Sequence, residues 1–353
     1  MRRRRGTWLV SAVALFGAAA LLMSLVGERK EPPPRVKMPR SMDADDLNRL
    51  KRRRTLPPPT REVSPADAGA PEEPRRLADP VLRALPAHVK EAAIVIEANA
   101  LRHSPIGQLL LTCFAGKGKL DVAKLKSELG IDPLVDLDRI SMFDETFLIS
   151  GQFASAKWGE VFKDSRKVAL NDHTTLWESP FGGKVSAAWR DQMVIMGDDR
   201  AEVEAVVARL EGTAPAEPPI IPESESYGEV YGALAPETLA RLLAHEQPAL
   251  AERLRQVVSG IGLHIDASHD VGLVLDARGS GQDTVDFGKA VGSAMALGRV
   301  AAAAQGHPDL AKILDYARVI PDRDGKSFSA ELALPLTFLE EKLRDCGKPQ
   351  FDR

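Results

Sequence analysis

The sequence predicts an α+β fold: two similar halves of antiparallel sheet with packed helices, preceded by one transmembrane helix and a disordered proline-rich tether. Three observations carry this. Apolar residues recur with strand and helix periods, in the same order twice, between residues 81 and 353. Two-residue and four-residue turns join many of the strand segments, and short turns make antiparallel pairs. Prolines and charge gather before residue 80, where apolar residues are few.

The chain opens with a basic tail, residues 1–7, in which Arg2, Arg3, Arg4 and Arg5 are consecutive. Trp8 to Val26 follow without a charge and include Leu15, Phe16 and Leu21. Those 19 residues make about 28 Å of helix, one hydrocarbon core. A signal peptide would need small residues at −3 and −1 of its cleavage position. Cutting after Gly27 puts Leu25 at −3, and cutting after Val26 puts Val26 itself at −1. The expectation is an uncleaved anchor in the inner, cytoplasmic membrane, with a soluble periplasmic form after cleavage as the alternative. The Arg2–Arg5 cluster predicts the amino terminus inside and the bulk of the chain in the periplasm.

Residues 27–80 read as a disordered basic tether. Positions 28–80 hold 11 of the 25 prolines, including Pro32–Pro34 and Pro57–Pro59. Ser41 to Arg54 is the one segment there with helical character. Asp43, Asp45 and Asp46 stand early and Arg49 to Arg54 late, which suits the helix dipole. Its apolar residues are few, so a solvated charged segment is expected. A basic contact for anionic lipid or a partner is the other reading.

The folded part divides into 81–211, a proline-rich linker at 212–226, and 227–353. In the first half, Ala92–Ala98 is a strand and Ser104–Phe114 a helix with proline in its first turn. Asp121–Leu129 is a second helix, stopped at Gly130. Asp138–Phe143 and Thr146–Phe153 pair around Asp144-Glu145, and a helix follows near Ala154–Lys163. Strands at Thr174–Glu178, Lys184–Arg190 and Met193–Gly197 precede the helix Arg200–Leu210. The second half runs strand Glu229–Leu234, helices Pro236–Leu243 and Pro248–Val258, and strands Gly262–Ala267 and Val271–Ala277. Helices Thr284–Gln305 and Pro308–Tyr316, a hairpin of Ala317–Ile320 with Ser327–Leu334, and a closing helix Pro335–Asp345 complete it.

Composition narrows function more than it names it. The 353 residues are 44% hydrophobic and 27% charged with a net charge of −3, so collagen, coiled coil and multi-span membrane proteins are excluded. Two cysteines exclude a disulfide-dense scaffold and a four-thiolate zinc site. Residues 1–80 carry +7 and residues 81–353 carry −10. An acidic body is a poor partner for nucleic acid, and none is expected.

Motifs for catalysis are missing. Gly118-Lys119 has neither the earlier glycine nor the following Ser or Thr of a phosphate loop. His264, Asp266 and His269 are the nearest approach to a metal site. On a strand, His264, Asp266 and Ser268 point away from Leu263, Ile265 and Ala267. They read as a solvated face, so His264→Ala should cost within about 0.5 kcal/mol. Gly288 and Gly292 lie four apart in the alanine-rich helix and predict close packing rather than a ligand. Cys113 reads as a buried thiol, with a Cys113–Cys346 bridge as the minor alternative. No cofactor is expected.

The segments Ala100–Leu110 (ALRHSPIGQLL) and Gly130–Ile140 (GIDPLVDLDRI) occur in this tandem pattern. The pattern resembles single-pass anchored envelope proteins of high-GC Gram-negative bacteria. The resemblance covers residues 92–345 and brings no catalytic motif. Together these readings predict a membrane-tethered envelope protein whose acidic body binds or scaffolds a protein partner. The alternative is an enzyme with an unrecognised site.

Overall fold

The computed structural model describes residues 36–54, 78–116, 122–215, 217–245, 247–323 and 325–343. In chain order the elements are α1 (Ala44–Arg53), α2 (Pro80–Ala84), β1 (Ala92–Ile96), α3 (Ala98–His103), α4 (Pro105–Gly116) and α5 (Val122–Leu129). Next come β2 (Leu137–Phe143), β3 (Thr146–Gly151), α6 (Trp158–Val161), β4 (Arg166–Asn171), β5 (Thr174–Glu178), β6 (Val185–Trp189), β7 (Met193–Gly197) and α7 (Arg200–Glu211). The remainder is β8 (Val230–Leu234), α8 (Pro236–Ala244), α9 (Pro248–Val257), β9 (Val258–Asp266), β10 (Val271–Gly279), α10 (Gln282–Ala304), α11 (Pro308–Asp315), β11 (Ala317–Pro321), β12 (Ser327–Leu334) and α12 (Leu336–Leu343). The class is α+β with antiparallel sheet, as the sequence predicts.

Two compact units emerge, and their boundaries are not those of the two expected halves. Counting only the described residues, one contains those of 39–103 and 121–239; the other holds 36–38 and those of 104–120 and 240–353. In the first unit the strand order is β8-β1-β2-β3-β7-β6-β5-β4. Thus β8, expected to open the second half, pairs antiparallel with β1 through Ile94↔Gly232 and Val95↔Tyr231. In the second unit the order is β9-β10-β12-β11. The run β2-β3-β7-β6 of the first unit has the same order, with β4 and β5 as an extra hairpin beyond it.

The first unit packs α2 and α7 on one sheet face. Val81, Leu82 and Leu85 join Val203, Val206, Val207 and Leu210 over Val95, Leu148, Leu176 and Ile195. The helix α7 forms where it does because Asp199 caps its amino end and Gly212 closes it with a left-handed φ of 72°. The β2–β3 turn places Asp144 at φ 48°, and its carboxylate accepts from the Lys90 and Glu91 amides. β4 was not foreseen. It is an edge strand in which only Val168 and Leu170 pack against the core, too little alternation to stand out.

The second unit shows the expected helix packing. A Cβ on Gly288 would lie 2.6 Å from Phe328 Cγ, whereas one on Gly292 would meet Val319 Cβ at 3.4 Å. Gly288→Ala should therefore destabilise by about 1–3 kcal/mol despite its better helix propensity, because the Phe328 ring must leave its contact with Phe287. Gly292→Ala should lie within about 1 kcal/mol of wild type. Parallel urea titrations of the two variants check both values.

Two expectations need correction. The tether expected to be disordered over 27–80 contains an ordered stretch, residues 36–54, with α1 at its centre, and Asp79 and Pro80 begin α2. The reason is charge: α1 has few apolar residues but meets carboxylates that sequence alone does not place beside it. The polar face of β9 is not solvated. His264 is 1% exposed and Asp266 half-buried, while Ser268 and His269 are exposed. The anchor Trp8–Val26, the Arg2–Arg5 cluster and Cys346 lie outside the described residues, as does the side chain of Cys113. Among the described residues no helix is long and apolar enough to cross a membrane.

Candidate functional site

The densest chemistry among the described residues is a buried arginine–carboxylate cluster in the first unit. Strand register builds its floor. Ile96 lies opposite Ile140, so one step on brings Glu97 opposite Arg139 on the face that carries Val95 and Tyr231. The Glu97 amide donates to the Glu229 carbonyl at 2.8 Å, which brings a second carboxylate alongside. Asp79, the cap of α2, supplies a third, and its Oδ1 accepts from the Val81 amide at 2.9 Å. Apolar core gives way to charge along this row of the sheet.

Helix α1 closes the row. Asp46, Arg49, Leu50 and Arg53 share one face because they are three or four residues apart. Asp43 fixes the helix start with a capping box: it accepts from the Asp45 and Asp46 amides, and Asp46 accepts from the Asp43 amide. Arg53 pairs with Glu97 and reaches Asp79 at 3.6 Å. Arg49 pairs with Asp46 and reaches Glu229 at 3.7 Å. Arg54 pairs with Glu223. Beneath them Arg139 donates to Asp79 at 2.8 Å and Tyr231 Oη donates to Glu97 at 2.8 Å.

Burial makes these contacts strong and sets their ionisation. Burial alone would push the Asp79 carboxyl up, but Arg139 and Arg53 outweigh it and hold Asp79 below the ordinary carboxylate range. Burial opposes the charge on Arg139 too, yet Asp79 and Glu97 raise it above the usual guanidinium value. Tyr231 is pushed up by burial first and by Glu97 second. Asp79 and Arg139 therefore both stay charged at neutral pH. The cluster suits holding a helix, because Asp79, Glu97 and Glu229 are buried and each lies within reach of an arginine of α1.

A second feature of this unit is a groove of about 610 Å³ over β4–β6. Lys157, Trp158, His173, Thr175, Trp177 and Arg190 are among the residues that line it. Its two tryptophans belong to a row of ring contacts, Phe153–Trp158–Phe162–Trp177, with centroids 5.0–6.2 Å apart. Arg190 and Asp191 both take left-handed φ, 51° and 52°, so the backbone at the groove's end is strained.

The sequence-derived metal candidates do not assemble. Among the described residues no group of three His, Cys, Asp or Glu side chains could hold a metal ion. His264 lies on the sheet face opposite α10, in the row His264–Val274–Glu331–Arg318. Asp266 turns back on Ser268, accepting from its hydroxyl at 2.6 Å. Sequence reasoning missed the arginine–carboxylate cluster. Its one local signal was the helical spacing of Asp46, Arg49, Leu50 and Arg53.

No protein-family model matches the chain, and no curated protein matches it. One solved structure, described as crystal form I of TP0453, aligns over 75% of this chain and 97% of its own, with 10% identity and a TM-score of 0.42.

Proposed function

We propose that the protein is a membrane-tethered envelope protein whose α+β body serves as a binding or scaffold module. The observation that carries this is the charge-free run Trp8–Val26 behind Arg2–Arg5, attached to an acidic folded body. The recurring strand order supports descent of the body from a duplicated module. Its partner is a protein of the envelope, and the groove beside Trp158 and Trp177 is the concave surface offered to it. The resemblance to single-pass envelope proteins agrees with this placement.

The test is fractionation with mass spectrometry of the mature amino terminus, alongside a reporter fused after Arg353. Retention in the inner membrane, an intact residue 1–24 segment and a reporter active only when exported are expected. A mature chain starting at or after residue 25 overturns the anchor, and a reporter active in the cytoplasm reverses the topology.

A further inference from the structure

We infer that β4 is a docking edge: an extended, acidic segment of the partner protein pairs with its free side and turns carboxylates toward the groove. The inference rests on the reading of the groove as the partner's seat and adds how the partner is held there.

The backbone supplies the first half of the argument. β4 is the last strand of the first unit's sheet and pairs with β5 alone. An antiparallel strand turns the amide and carbonyl of alternate residues to each side, so β4 offers a row of donors and acceptors along its outer edge. Among the described residues no backbone group of Arg166–Asn171 bonds outside the β4–β5 ladder. The two faces of the strand differ. Val168 and Leu170 pack at the border of the core and stay half-buried, so a neighbouring strand would cover them further. Lys167 and Ala169 face the other way, with Trp177 and Thr175 as their partners in register. That is the groove side, where Lys167, Thr175 and Trp177 all line the cavity.

Charge selects the occupant. Arg166 is paired with Glu178, but Lys167 is exposed and makes no ion pair among the described residues. The same holds for Lys157, the other lysine of the groove. The groove's own carboxylates, Asp172 and Asp191, belong to the β4–β5 and β6–β7 turns, whereas Lys167 lies further along its strand. The residue of an added strand that stands opposite Lys167 shares its face, and an opposite charge there stabilises the pair. The net charge of −10 on residues 81–353 opposes an acidic partner only weakly, because salt screens exposed charges beyond roughly 8 Å. A lysine on an edge also discourages apolar strands, so the residue that invites an acidic segment turns others away.

The test uses the full chain in detergent micelles and short labelled peptides that alternate valine with glutamate or valine with lysine. The glutamate peptide should bind roughly tenfold tighter than the lysine peptide. Lys167→Gln should narrow that preference and Lys167→Glu should reverse it. N-methylation of the peptide amides, which keeps every side chain, should abolish binding, because it removes the donors of the added ladder. Hydrogen exchange in β4 should slow roughly tenfold or more with saturating glutamate peptide. The docking edge is overturned by a glutamate peptide that fails to bind at about 1 mM, that binds as well when N-methylated, or that leaves exchange in β4 unchanged. Equal affinity for the two peptides overturns the acidic preference. A photo-crosslinking residue in place of Ala169, Thr175 or the remote, 72% exposed Leu297 judges the seat separately, in membranes holding the full chain. Adducts from Ala169 and Thr175 to an acidic stretch of one envelope protein are expected. Adducts there to a segment without carboxylates, or to a second copy of the chain, overturn the acidic strand. Adducts from Leu297 alone overturn the groove as the seat, while the peptide results still judge β4.

Discussion

Arg139→Ala is expected to cost about 3–5 kcal/mol, because it leaves Asp79 and Glu97 buried beside a missing cation. For a unit of this size that is a fall of roughly 10 °C or more in Tm. The pH dependence should change with it. In the wild type the folded pKa of Asp79 is depressed, so its contribution is fully present above the unfolded carboxylate value, near 3.9, and is lost as pH falls through the folded value. Removing Arg139 takes away the largest influence holding that pKa down. The effect of burial then gains ground, and acid unfolding should begin at higher pH in the variant. Urea titrations from pH 7 to pH 3 measure both effects. The paired variant Asp79→Leu/Arg139→Met should recover part of the loss, since a buried ion pair is replaceable by apolar residues when both partners go, while Glu97 keeps Arg53 and α2 loses its Asp79 cap. A single-variant loss below about 1 kcal/mol would show that the cluster is hydrated rather than closed.

The legible part of this fold is the part written in short-range signals. Asp144-Glu145 announced the β2–β3 hairpin, and Gly130 announced the end of α5. Gly288 announced a close helix contact, because only a residue without Cβ tolerates Phe328 there. What stayed hidden is long-range. Arg53 meets a carboxylate 44 positions away, Arg139 one 60 away and Arg54 one 169 away. No local spacing reveals such partners, so α1 looked like a solvated charged stretch. The same limit explains the unit boundaries. Counting periods placed β8 at the head of a second half, but strand pairing, which periodicity does not encode, joined it to β1.

The arginine–carboxylate cluster also bears on what the body is for. Buried ion pairs add little net stability over apolar packing, but they specify which element docks and in what register. A helix held by Leu50 alone would slide or be replaced by any apolar segment. In one held by Arg49, Arg53 and Arg54 against Glu229, Glu97 and Glu223, a slide of one turn parts all three pairs at once. That specificity fixes which face of α1 meets the carboxylates.

His264→Ala separates a packed side chain from a surface one and from a metal ligand in one experiment. Alternation along β9 correctly divides Leu263 and Ile265 from His264 and Asp266, and an exposed His264 would cost within about 0.5 kcal/mol on truncation. The structure buries it instead, at 1% exposure, on the face that also holds Glu331 at 2% and Ser329 at 1%. Register places Val274 between His264 and Glu331, so the imidazole sits in the middle of the sheet rather than at a rim. Truncation then removes ring volume from a closed site, and the neighbours are strands whose spacing the ladder fixes, so collapse is limited. The expected cost is about 2–4 kcal/mol, in the range of large-to-small core substitutions. Urea denaturation of wild type and variant gives that number, and elemental analysis of the same samples gives its meaning. A loss of this size with identical metal content in both identifies packing as the role of His264. A loss below 0.5 kcal/mol would return the residue to the surface. Stoichiometric zinc present in the wild type and absent from the variant would make it a ligand, because metal binding and folding stability are lost together at such a site.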